Sequence, residues 1–103
     1  MRMMNVIAKR ELLYSIKGER VQREFTVNIG APYLLEMGAV SFNFDSGAAG
    51  CTIEFDGLLE NSIEVHGIDL LHALHLAADI DPYLKGMLNK YDFYWSTGEP
   101  YFE

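Results

Sequence analysis

The stretch VHGIDLLHALHLAADIDP, from Val65 to Pro82, sets two imidazoles, His72 and His75, beside a carboxylate, Asp79, with Asp69 and Asp81 at either end. Residues three and four apart are neighbours on a helix surface, so these groups could converge on a metal ion or exchange a proton. Each helical residue advances the direction by about 100°. With Asp69 at zero, Leu70, Leu71, Ala73, Leu74, Leu76, Ala77, Ala78 and Ile80 spread over about 220°, and His72, His75 and Asp79 share about 60° of the remainder. That is the layout of a solvent-facing polar stripe. A metalloprotease HExxH segment needs a glutamate after the first histidine and a second histidine four residues on. Here Ala73 follows His72 and the histidines stand three apart. The expectation is no metal and no cofactor, with Leu74 in the core. The apolar arc exceeds the roughly 100° that covers one sheet face, so the helix needs flanking cover or a partner.

Other reactive groups have less support. DSGAAGC lacks the lysine and hydroxyl of a phosphate-binding loop, and its glycines read as turn residues. Ser46, Ser62 and Cys51 are potential nucleophiles, but none stands in a recognised pattern with a histidine and an orienting acid. Glu54 and Asp56, two apart on a strand, face the same side and repel, which is how an acid–base pair separates its pKa values. The same spacing describes the wet face of a half-covered sheet. The expectation is a protein that is not an enzyme. A small enzyme or ligand-binding domain using His66, His72 and His75 is the competing reading.

The elements that position these groups follow from periodicity. The chain of 103 residues is half hydrophobic and 13% aromatic, enough for one domain over 1–103 with its own core. NVIAKRELLYSI (5–16) and VQREFTVNI (21–29), joined through Lys17-Gly18, read as a β-hairpin. Gly30, Pro32 and Gly38 bound a loop. AVSFNF (39–44) is a third strand, DSGAAG a turn, CTIEFDGL (51–58) a fourth strand, and Ser62 to Val65 a short edge segment. A helix begins near Gly67 with Asp69 as its cap or first-turn acid, and Asp81 caps a second short helix opened by Pro82. YDFYW (91–95) returns to a strand. The order ββββα(α)β describes an α+β fold, an antiparallel sheet of four to five strands with helix on one face.

Charge narrows the partner. The net charge is −7, and six of the eight basic residues lie in the first 23 positions. From Glu24 to Leu84 there is no Lys or Arg, against ten carboxylates. Such a field repels nucleic acid and attracts a basic surface. The sole cysteine excludes an intrachain disulfide and fits a reducing compartment. No signal peptide or membrane span is read, so the expected location is cytoplasmic.

YDFYWSTGEPYFE gathers six of the thirteen aromatic residues among Asp92, Glu99 and Glu103. Tyr91, Phe93 and Trp95 alternate to one side for the core, leaving Tyr94, Tyr101 and Phe102. Those three are either interface residues or a tail folded back to protect a sheet edge.

NIGAP (28–32), CTIEFDGL (51–58) and GIDLLHALHLA (67–77) together resemble a family of small bacterial proteins of unknown function. Its pattern runs I-G-x-P, then C-x-I-x-x-x-G-L, then G-x-D followed by A-L and L-A on a helix. The match runs in order over about Asn5 to Leu84 and carries over no catalytic residue. Members often have glutamine at the position of His72. In size, charge and class the chain also looks like the immunity proteins of interbacterial toxin systems. The expected function is a non-enzymatic inhibitor that neutralises a bacterial toxin, such as a nuclease, by binding its basic surface. Glu54, Asp56, Asp92, Tyr94, Glu99, Tyr101 and Phe102 are the expected contacts. A phage or plasmid inhibitor of a nucleic-acid-binding defence complex is the alternative of the same class.

Overall fold

The computed structural model describes residues 5–35 and 48–102. Its elements are β1 (Val6–Ile16), β2 (Arg23–Gly30), β3 (Tyr33–Leu34), β4 (Ala49–Asp56), β5 (Ile63–Gly67), α1 (Leu70–Ala78), α2 (Asp81–Lys85) and β6 (Tyr91–Trp95). The α+β class and the antiparallel sheet under one bent helical layer are as the periodicity predicts. Across the sheet the order is β5-β4-β2-β1-β6, every neighbouring pair antiparallel, and β3 prolongs the β2 side of β4 beyond Pro32.

Alternation fixes which face each strand buries. Phe25, Val27 and Ile29 of β2 lie on the same side as Cys51, Ile53 and Phe55 of β4, and all six are buried. Leu12 of β1 pairs with Phe25, and Phe93 of β6 pairs with Tyr14. Edge-on rings knit this end together: Tyr14 meets Phe25 at 5.7 Å and Tyr91 at 5.4 Å. Ala73, Ala77, Ile80 and Leu84 close the core from the helical side.

The helix packs through alanine, and Leu74 is only half-buried at the rim of the core. This corrects the expectation for Leu74. The cause is close approach at Gly67, where a Cβ would lie 2.6 Å from the Ala73 nitrogen and 3.0 Å from its Cα. Where β5 and α1 come this near, only a small side chain fits between them. Ile68, Leu70, Leu71 and Leu76 are left exposed.

Several boundaries move for local reasons. The fourth strand runs from Ala49 to Asp56, so Ala49 and Gly50 belong to it and not to the preceding turn. It stops at Gly57, whose φ of +94° no strand accommodates. The short edge segment is β5, which starts one residue later and ends two residues later than expected, and the helix waits until Leu70 because Asp69 is its N-cap. Asp81 opens α2 without capping it: Ile80 holds the N-cap position and makes no side-chain cap. The loop after Gly30 contains β3. The strand read over 39–44 and Ser46 lie outside the described residues.

Candidate functional site

His72 has a backbone role that a helical wheel cannot show. The Asp69 carboxylate accepts the His72 N–H at 2.7 Å, and His72 Nδ1 accepts the Ile68 N–H at 3.0 Å. This varies the capping box: histidine stands where glutamate or glutamine would, at the third helical position, and its ring accepts from Ile68, the residue before the cap, rather than from the N–H of the cap itself. Because Nδ1 accepts, the ring hydrogen sits on Nε2 in the neutral form. His72 is therefore part of the helix cap, which corrects its assignment to a purely solvent-facing stripe. His75 is exposed in the last turn, and the Asp79 N–H closes α1 on the His75 carbonyl at 3.2 Å. His66 sits on β5 opposite Gly50, on the face away from α1. Among the described residues, no three His, Cys, Asp or Glu side chains gather to hold a metal ion.

The nucleophile candidates separate in the same way. Cys51 is buried and its thiol donates to the Gly30 carbonyl at 3.2 Å, while burial pushes its pKa up. A thiol held protonated is a poor nucleophile. Ser62 is exposed just before β5. Ser15, which alternation places on the open face, is buried and shares a hydrogen bond of 3.0 Å with the Tyr94 hydroxyl.

The C-terminal stretch folds back along the outer edge of β6. The Trp95 N–H donates to the Glu99 carbonyl at 2.8 Å, the Tyr101 N–H to the Phe93 carbonyl at 2.9 Å, and Tyr94 bridges to Pro100. On the helical side the Tyr101 hydroxyl donates to Asp81 at 2.6 Å and accepts from Arg10 at 2.7 Å. Arg10 lies over the Trp95 ring, 5.4 Å from its centre. Burial, seconded by the bond to Asp81, raises the Tyr101 pKa above the ordinary tyrosine value, and Arg10 opposes the shift. Phe102 packs edge-on against Tyr101 at 4.9 Å and rests against the core. No sequence spacing links Arg10, Asp81 and Tyr101; only the fold brings them together.

The seven residues expected to bind a partner thus fall into three places. Glu54 and Asp56 share the open face of β4, opposite Asn28 and Thr26. Asp92 and Tyr94 occupy the same face on β6, three strand spacings or about 14 Å across the sheet. Glu99 is exposed in the turn beyond, and Tyr101 and Phe102 lie on the helical side, half-buried. The alternation adds Glu11, Glu24 and Glu64 to the open face. Ion pairing there is sparse: among the described residues Lys9 meets Glu11 at 4.0 Å and Lys17 meets Asp92. Asn28 donates to Glu54 at 2.9 Å and Tyr33 to Glu64 at 2.5 Å, holding both carboxylates in place without neutralising them. Glu24, Glu54 and Asp56 make no ion pair among the described residues, and no helix of those residues is long and apolar enough to cross a membrane. Set against protein-family models, characterised proteins and solved structures, the chain matches none of them.

Proposed function

We propose that this protein is a non-enzymatic inhibitor that binds a basic protein surface through the open face of its sheet, as an immunity protein binds a bacterial toxin. The observation that carries the reading is the carboxylate field of Glu24, Glu54, Asp56 and Glu64 on a face no described helix covers. Strands hold these groups at fixed spacing, so little order is lost when a rigid basic surface meets them. Complementary charge speeds encounter and favours one orientation, and the bound protein then blocks substrate from the partner's cleft. A nuclease, whose cleft is basic because it binds phosphates, is the toxin class that fits this charge. The proposal places the protein in the cytoplasm, with no cofactor and no direct nucleic-acid contact.

The test is affinity capture from the native host with the parent and with a double reversal, Glu54→Lys with Asp56→Lys. The reading expects one basic protein retained by the parent, released by salt, lost with the double reversal, and inhibited in its own activity by the parent. Equal capture by both baits contradicts it.

A further inference from the structure

One ring nitrogen closes the connection between β5 and α1. His72 Nδ1 accepts the Ile68 N–H at 3.0 Å, while the His72 N–H donates to Asp69 at 2.7 Å. The ring is packed against the end of the strand: a Cβ on Gly67 would lie 2.9 Å from Nδ1 and 2.6 Å from the Ala73 nitrogen. Ala73 is fully buried, and its N–H donates to the Asp69 carbonyl at 3.0 Å. The turn that seats α1 on β4 and β5 therefore carries a side-chain bond at its entry, and that bond depends on an imidazole.

An imidazole nitrogen accepts a hydrogen bond only while it bears no hydrogen. The cation has hydrogens on both nitrogens, so protonation of His72 sets a donor at Nδ1 against the Ile68 donor. Histidine is the side chain whose charge ordinarily changes between about pH 5 and 8. Glutamine, a usual residue at this helical position, keeps its carbonyl acceptor throughout that range.

The charged surroundings do not remove the conflict. Asp69, bonded to the same residue, attracts the cation, and the N-terminal end of the helix dipole repels it. His75 stands one turn further along α1, and Asp79 at its end. Among the described residues of the strands packed against α1, Glu64 and His66 of β5 point to the open face. From β4 the titratable group on the helical side is the Cys51 thiol, bonded to Gly30.

We infer that His72 is an acid-sensitive catch on the β5–α1 connection: the neutral ring closes it and the protonated ring opens it. Ile68 and the first turn of α1 loosen together, while the strands, joined backbone to backbone, stay paired. The bond's contribution to stability is present while the ring is neutral and is lost as acid protonates it. The inference does not rest on the proposed function.

Nuclear magnetic resonance of the parent and of His72→Gln, from about pH 8 to about pH 5, tests this. At the alkaline end the His72 ring should carry its hydrogen on Nε2 and none on Nδ1. As the ring titrates, the Ile68 amide proton should shift with the same midpoint. Its protection against exchange, corrected for the intrinsic effect of pH, should fall about fivefold, as for the loss of one ordinary hydrogen bond. In His72→Gln the Ile68 amide should neither shift nor lose protection over this range, although His66 and His75 remain. A hydrogen on Nδ1 at the alkaline end overturns the inference, as does a ring that stays neutral to the acid end. So does an Ile68 amide that stays unmoved while the ring titrates, or an acid response in His72→Gln equal to the parent's.

Discussion

On β4 the residues alternate Cys51, Ile53, Phe55 on one face and Thr52, Glu54, Asp56 on the other; the first three are fully buried and the second three are not. One strand thus serves two regions with opposite demands. The helical face is a packed layer in which Gly67 and Ala73 leave no room for an added carbon. The open face holds two of its carboxylates, Glu54 and Glu64, by side-chain hydrogen bonds from Asn28 and Tyr33 and packs against no described helix. Stability is concentrated on the first face, so the charge of the second can be set by recognition without loss of the fold.

The comparison is broken most forcefully at Phe55. Phe55→Ala should cost about 3–5 kcal/mol in urea unfolding, the range for emptying a buried aromatic site. A small loss would mean that the helical face is not the stabilising one. Gly67→Ala should cost about 1–3 kcal/mol, because the new methyl meets backbone at Ala73 and not a side chain that can swing away. The helix cap gives a finer contrast: Asp69→Ala should lose about 1 kcal/mol, His72→Ala less, and His72→Gln almost nothing, since glutamine serves at the same capping position. If His72→Gln is as harmful as His72→Ala, the imidazole is doing something other than capping.

Much of this was legible in advance. Clean alternation in VQREFTVNI (21–29) and CTIEFDGL (51–58) marks two-faced strands, and Asp69 stands where an N-cap belongs. Leu74 was not legible as a rim residue, because the wheel ranks positions by side chain and is blind to how closely Gly67 lets the helix descend. The cap formed by His72 and the Arg10–Tyr101–Asp81 chain were hidden for a related reason: one depends on the rotamer of a single ring, the other on residues far apart in sequence. The carboxylates of the open face were readable as a pair at Glu54 and Asp56, but their neighbours Glu24 and Glu64 needed the sheet order.

A smaller effect sharpens the contrast at the β6 end. The Tyr101 pKa is raised in the folded state, so stability is unaffected below the ordinary tyrosine value of 10.0 and falls as pH rises through the folded value. In Tyr101→Phe that part of the alkaline loss should vanish, which melting temperatures on either side of about pH 10 will show. Identical alkaline profiles for the two proteins would place the sensitivity elsewhere.

The smallest expected effect on the fold accompanies the largest on function. Glu54→Lys with Asp56→Lys should leave the unfolding midpoint within about 0.5 kcal/mol of the parent, as for surface changes outside packed sites. The direct measurement is the association rate of the captured basic partner with the parent and with this double reversal, at low and high salt. The parent should associate quickly at low salt and slow markedly as salt rises, because charges further apart than about 10 Å are screened at 0.1 M. The double reversal should be slow at low salt and nearly insensitive to it. Equal rates for both proteins at both salt levels would contradict the central claim and move recognition off the acidic face.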